Sequence, residues 1–398
     1  HLHKGKLNPK ELYSDWDLTP KEIALSPLLE FAIKEKKIKS TLNQIKPQHI
    51  IYQSIKKSLI EIDKFPNIPF ENINPKKKKI VIGDTLPELV YIKKRLLYWR
   101  DYQNNDSIYT WAYDSITLKA VKRFQARHGL ATDGVIGIST LKALNTTKKE
   151  RKEQILANLE RWRWYSQSMG DKYIIVNIPD YMLHYVVNND TISTHRVVVG
   201  TPKRKTPIMS STLSNFVFNP TWTIPPTIIK EDLTPAATKN RNYFSSKQLT
   251  IYDNKGNQIT PEEWMPEKSN QYKYVQKPSY NNSLGVVKFN FPNRHSVYLH
   301  DTNHREYFVK TYRSLSSGCV RVEDPLLLAK HILNDTHLNK WSNTKIDSIL
   351  KLEKTKTVSL KDSVKVHLLY WTSWLKNGKL QFRDDIYKLD KKIISENK

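Results

Sequence analysis

Cysteine is almost absent from this sequence. One residue, Cys319, stands among 398, so no intrachain disulfide can form and cysteine usage says nothing about a redox compartment. Long apolar runs are missing as well, and nothing approaches the roughly 20 consecutive apolar residues of a membrane-spanning helix. There is no HExxH, no CxxC, no phosphate-binding glycine loop and no G-x-S-x-G, so no motif points to metal, nucleotide or serine-elbow chemistry, and neither a metal nor a cofactor is expected. Zinc-finger spacing and the aromatic-glycine signature of RNA binders are also lacking, and nucleic acid is not an expected partner.

What is present is a globular composition with a strong charge. Hydrophobic residues make up 38% of the chain, enough for packed cores, and its length predicts two or three domains. The formal net charge is +26. Residues 1–80 carry 16 Lys and 9 Asp or Glu, a net of +7 and close to their share by length, so the charge is spread out. A solvated basic surface accounts for it; an acidic polymer or a membrane surface is the partner class it would suit. The chain opens on His1 rather than Met and is expected to be a fragment, with room upstream for a signal peptide or membrane anchor.

The pattern along the chain predicts an α+β multidomain protein. Residues 1–79 read as a mostly helical scaffold: Leu25, Leu28, Leu29, Ala32 and Ile33 recur at helical spacing, as do Ile51, Ile55, Leu59 and Ile62. Pro66, Pro69, Pro75 and Lys76 to Lys79 mark a linker. Residues 80–147 read as a three-helix module, with Asp114 and Ser139 as helix caps, Gly129 as a stop and Asp133-Gly134 as a turn. A connecting helix over 148–168 is expected to complete the scaffold. From 169 to 398 short β-rich runs predict a β-rich, sandwich-like domain. Between about 224 and 280 that pattern fails, which predicts a long lid-like insertion.

The chemistry concentrates in two stretches, Ser296 to Thr302 and Ser314 to Val322. A catalytic cysteine needs a base and electropositive surroundings, because the thiolate is the nucleophile. His300 closes a predicted strand 19 residues before Cys319, and a strand-loop-strand return can bring them together. Gly318 allows close backbone approach, and the Gly318 and Cys319 N–H groups could face an oxyanion. Arg321 adds positive charge. Tyr298 alternates onto the face of His300. Each has a plainer reading: Cys319 as a small buried hydrophobe, His300 as a satisfied strand-end histidine, Tyr298 as core, Ser316 and Ser317 as loop polar groups. His304 is a rival base.

Two resemblances sharpen this. The run Phe124-Gln125, His128-Gly129-Leu130 and Asp133-Gly134 resembles the small peptidoglycan-binding domain of bacterial wall enzymes. Tyr298-Leu299-His300-Asp301-Thr302 with Ser316-Ser317-Gly318-Cys319-Val320-Arg321 resembles the signature of the YkuD-like L,D-transpeptidases. The blocks Pro207 to Ser211, Asn219 to Trp222, Asn282 to Gly285 and Lys288 to Asn290 agree with it, and the domain order resembles the large periplasmic Gram-negative members. Many relatives carry His where Ser317 stands; the large members share the serine. The resemblance implies that Cys319 takes the acyl group of a tetrapeptide stem, with release of D-alanine, and passes it to a diaminopimelate amine in a 3-3 cross-link. It implies His300 as base, oriented by the Asp301 backbone carbonyl, and donor-site contacts from Tyr298, Ser316, Ser317, Arg321 and Trp222 under the insertion. It further implies peptidoglycan stems and glycan as partners, carbapenems as inhibitors, a role in wall biogenesis and cell shape, and a periplasmic location, with an inner-membrane anchor upstream as a further expectation. An L,D-carboxypeptidase, a lipoprotein-attaching enzyme and a non-catalytic wall-binding scaffold are the rival readings.

Overall fold

A computed structural model describes residues 1–69, 71–103, 110–166, 168–336 and 341–396. Its packing divides the chain into two units, His1–Ser168 with Tyr370–Lys398, and Met169–Leu369.

In the first unit both N-terminal periodicities become helices, Leu25–Lys34 and Ile50–Asp63, but their environments differ. Tyr52, Ile55 and Ile62 are buried, whereas Leu25, Leu29 and Ile33 are exposed and only Ala32 of their helix is buried. The three-helix module consists of Glu88–Tyr98, Ser115–Arg127 and Ile138–Asn145, with Leu89, Ile92, Leu96, Val121, Phe124 and Leu144 inside. Asp114 caps the second helix by accepting from the Thr117 N–H at 2.7 Å. The third begins at Ile138 with Gly137 as its cap, so Ser139 lies inside the helix. The Phe-Gln and Asp-Gly motif residues lock together. Gln125 donates to the Val135 carbonyl at 3.0 Å and accepts from Gly134 N–H at 2.9 Å, where Gly134 holds φ +82°. Those motif residues therefore build the module's own fold.

A β-rich domain is expected over 169–398; in the packing Met169–Leu369 form one compact unit, and Tyr370–Lys398 belong to the first. Buried polar pairing draws the segment there. Helix Lys148–Trp164 opens on a Thr147/Glu150 capping box and carries Arg161 into the core. Arg161 donates to Asp390 at 2.7 Å, with both side chains almost wholly buried. Asn158 donates to Thr372 Oγ1 at 2.8 Å, and the Ser373–Lys376 strand bonds Ser54 through the backbone of Leu375.

The second unit is built on an eleven-stranded mixed sheet. The long strand Asp190–Gly200 joins its two halves. It pairs with Met182–Val187 on one side and with Val320–Val322 on the other. Beyond Val320–Val322 follow Leu299–His300, Val287–Asn290, Asn215–Phe218 and Lys356–Ser359. The β-rich domain expected here takes the form of two sheet halves continuous through this shared strand. The insertion is also more ordered than its failed strand pattern implies. It holds a four-stranded sheet rooted at Trp222–Thr223 and a core of Ile229, Leu233, Phe244, Ile251, Trp264 and Tyr274. Short strands and brief helical turns, each below the length at which periodicity shows, hid this structure from a sequence reading.

Removing one partner of a buried ion pair strands the other charge. Asp390→Ala should therefore cost about 3–5 kcal/mol in urea unfolding. Asp384→Ala, which breaks an exposed pair with Lys142, should leave the midpoint nearly unchanged. Equal midpoints for the two variants would show that the Arg161 pair does not hold the C-terminal segment.

Candidate active site

Three adjacent strands assemble the site through their register. Leu299–His300 lies parallel to Val320–Val322, with His300 opposite Arg321, and antiparallel to Val287–Asn290, with His300 opposite Lys288. Partners in register point to the same side of a sheet, and neighbours along a strand to opposite sides. Leu299, Val320 and Phe289 therefore go into the core, all fully buried. Lys288, Tyr298, His300, Cys319 and Arg321 share the other face. The Val320 N–H donates to the Tyr298 carbonyl at 3.1 Å, which ties the residue beside the nucleophile to the histidine strand. The Tyr298 and His300 rings lie 5.5 Å apart, and Lys288 Nζ sits 3.9 Å from the centre of the Tyr298 ring.

Burial sets the charge states. His300 is buried, and burial first, then the Arg321 and Lys288 cations, pull its pKa down to about 3 against an opposing contribution from the Asp301 backbone. Its ring is neutral at neutral pH. Its Nδ1 is buried without a well-formed hydrogen bond, so the Asp301 carbonyl acts on the ring but does not clamp it. Cys319 keeps a partly exposed surface, yet its packed surroundings push the thiol up; the Tyr298 backbone and hydroxyl, Lys288 and Arg321 oppose that rise. Among the described residues no hydrogen bond joins Cys319 Sγ to His300. The resting pair is a thiol beside a neutral imidazole.

The turn before Cys319 is rigid. Ser316 Oγ donates to the Cys319 carbonyl at 2.6 Å and accepts from the Gly318 N–H at 3.1 Å. Thr206 Oγ1 donates to the Gly318 carbonyl at 2.8 Å and accepts from Gly200 N–H at 2.9 Å. Gly318 has φ +118°, a region that side-chain-bearing residues seldom enter. The Gly318 N–H is thus bonded to Ser316 Oγ, and Ser316 braces the turn from both sides.

The remaining expected residues divide. Tyr298, its phenol pushed well above its ordinary range by burial, lies beside Cys319 and Trp222, so Trp222 at the root of the insertion does border the site. Arg321 faces Tyr307, with Nε and Nη1 buried and lacking acceptors. Ser317 is exposed and accepts from Arg204 Nη1 at 2.9 Å. Arg204 also binds Glu231 at 2.6 Å and Asp232 at 2.6 Å, both on the insertion. Sequence reading missed this residue and Lys288, because nothing separates them from the other 63 Lys and Arg residues until the chain is folded. His304 pairs with Glu306 at 3.0 Å and stacks on Tyr307, away from the thiol. The Asp301 carboxylate accepts from Val286 N–H at 2.9 Å and Arg305 at 2.6 Å. Gly285 must be glycine, since a Cβ there would collide with that carboxylate. Among the described residues no three His, Cys, Asp or Glu side chains gather as a metal-binding group, and no helix is long and apolar enough to cross a membrane.

A neutral thiol, a neutral imidazole and two cations thus share one face of the sheet. Residues 171–357 match the family model of the YkuD L,D-transpeptidase catalytic domain. Residues 1–59 match a scaffold domain, and residues 87–144 match a "Putative peptidoglycan binding domain". A Haemophilus influenzae protein named "Putative L,D-transpeptidase" is 40% identical over 223 residues, which is 55% of this chain and 45% of that protein. The match thus covers about half of that relative's length. Solved structures of lower similarity include an L,D-transpeptidase from Xylanimonas cellulosilytica, at 15% identity and TM-score 0.25 over 74% of this chain and 100% of that one. Another is LdtMt1 in complex with imipenem, at 13% identity and TM-score 0.23 over 50% of this chain and 59% of that one.

The positive φ of Gly318 gives a direct test of the turn. A Cβ would meet Lys205 O no closer than 3.5 Å, so space is not the obstacle and backbone strain is. Gly318→Ala should cost about 1–3 kcal/mol in chemical denaturation. A wild-type midpoint would mean that the turn relaxes at no cost.

Proposed function

We propose that this protein is a peptidoglycan L,D-transpeptidase that uses Cys319 as its nucleophile. The observation that carries this reading is the shared face on which strand register gathers Tyr298, His300, Cys319 and Arg321 within a segment matching the L,D-transpeptidase catalytic domain.

The residues imply the following sequence. A tetrapeptide stem binds beneath the insertion, against Trp222 and Tyr298, with a stem carboxylate drawn to the unpaired nitrogens of Arg321. Cys319 turns toward His300 as substrate displaces water, and its proton passes to the neutral ring. Sγ attacks the carbonyl carbon of the tripeptide–D-alanine bond, and the Cys319 N–H faces the oxygen that gains charge. The C–N bond breaks, D-alanine leaves with the proton held by His300, and a thioester remains. An amine of a diaminopimelate side chain on a second stem then loses a proton to His300 and attacks the thioester. The C–S bond breaks and the thiolate recovers that proton, leaving a 3-3 cross-link. Water as acceptor would make the same site an L,D-carboxypeptidase, and a lipoprotein amine would make it an attachment enzyme. The segment matching a peptidoglycan-binding domain and the +26 net charge suit a wall polymer rich in carboxylates and support a periplasmic location.

The test is incubation with a carbapenem followed by intact-mass measurement, then product analysis on disaccharide-tetrapeptide. One adduct on the wild type, none on Cys319→Ala, and a cross-linked dimer among the products are expected. A trimmed monomer alone assigns carboxypeptidase activity; no adduct and no product would leave a wall-binding scaffold. The pH profile is a second test. Because His300 is neutral above about pH 4 and the thiol is pushed up and stays protonated, the acylation rate should stay level from about pH 5 to about pH 8 with no step near 6.5, the ordinary histidine value. His300→Ala should lower that rate by about 100-fold or more. A step near 6.5 would mean that His300 titrates as an exposed histidine.

A further inference from the structure

The reactive face carries an uncompensated charge. Lys288 and Arg321 flank the row of Tyr298, His300 and Cys319, and among the described residues neither has a carboxylate partner in an ion pair. The nearest carboxylates are otherwise engaged: Asp301 with Arg305, Glu306 with His304, and Glu231 and Asp232 with Arg204. Arg321 leaves two buried nitrogens without acceptors. Lys288, half-buried, lies with Nζ 3.9 Å from the centre of the Tyr298 ring. A sheltered cation without an anion is costly. The one group in the row that can supply the anion without importing a residue is the Cys319 thiol.

We propose that the Lys288 ammonium is the counter-charge of the Cys319 thiolate, a positioning residue that lets His300 work as an uncharged base. The inference rests on the acyl-transfer reading of the site. Register opposes Lys288 to His300, and the side chain crosses the Tyr298 ring toward the thiol that this tyrosine borders. The ring face holds the ammonium of this half-buried side chain by cation–π attraction, and a partly sheltered charge is screened less than an exposed one. The arrangement differs from a thiolate–imidazolium pair. An imidazolium at His300 would be a third positive charge on a face that already carries two, and both cations depress its pKa as burial does. When the S–H bond breaks, the proton goes to His300 in acyl transfer or to buffer in a simple alkylation. In either case Lys288 stays charged and the new S⁻ completes a neutral pair with it.

The experiment uses the lone cysteine as its own reporter. The rate of iodoacetamide alkylation, read by intact mass, is followed against pH for wild type, Lys288→Met, Lys288→Arg and His300→Gln, with folding checked by circular dichroism. Lys288→Met should move the apparent thiol pKa up by about one unit, a tenfold loss of thiolate near neutral pH, and Lys288→Arg should restore most of it. A Lys288→Met profile that overlays the wild type overturns the proposal. So does a larger shift from His300→Gln than from Lys288→Met, which would make the imidazole the counter-charge. If Lys288→Met does not fold, Lys288→Gln replaces it. If neither folds, Lys288→Arg decides: an apparent thiol pKa raised by about one unit although the positive charge is kept overturns the proposal. Carbapenem acylation of the wild type is run in parallel. Absence of an adduct there sinks the acyl-transfer reading and leaves the alkylation result legible on its own.

Discussion

Everything chemical in this protein depends on the register of three short strands. His300 aligns with Arg321 on one side and Lys288 on the other. A slip of one residue would turn each of these side chains into the core and bring Leu299, Val320 and Phe289 to the surface. The register is strongly specified because that core face is fully buried. The packing of apolar residues beneath the sheet thus decides which polar residues meet above it.

The surrounding loops serve the same constraint. Asn282 donates to the carbonyls of Pro220 and Lys277, and Asp301 holds the Gly285–Val286 turn, so the strand bearing Lys288 enters the sheet at a fixed point. Thr206, Gly200 and Ser316 fix the turn before Cys319. Arg204 links that turn, through Ser317, to Glu231 and Asp232 on the insertion. Several blocks that look catalytic in the sequence are therefore bracing, and their chemistry is hydrogen bonding to backbone.

Electrostatics on the reactive face works by burial more than by pairing. The imidazole is held neutral by desolvation and by two cations, and the thiol is held protonated by desolvation against those cations. Such a site keeps its reactants uncharged at rest and releases charge only when substrate has displaced water. An exposed thiolate would be open to oxidation and alkylation; a partly exposed thiol in a raised-pKa setting is less so.

The sequence by itself singled out the candidate nucleophile, since one cysteine followed Ser-Gly within a recognisable signature, and the candidate base, since His300 ended a predicted strand 19 residues upstream. The three-helix module over 80–147 and the β-rich character from 169 onward were legible because periodicity, turn residues and caps are local signals. Tertiary structure alone decided the rest. Burial of the Arg161–Asp390 pair ties 370–398 to the first unit, a bond to Ser316 engages the Gly318 N–H, and register sets Lys288 opposite His300. Each of these depends on contacts between residues distant in the chain, whose partners no local periodicity encodes.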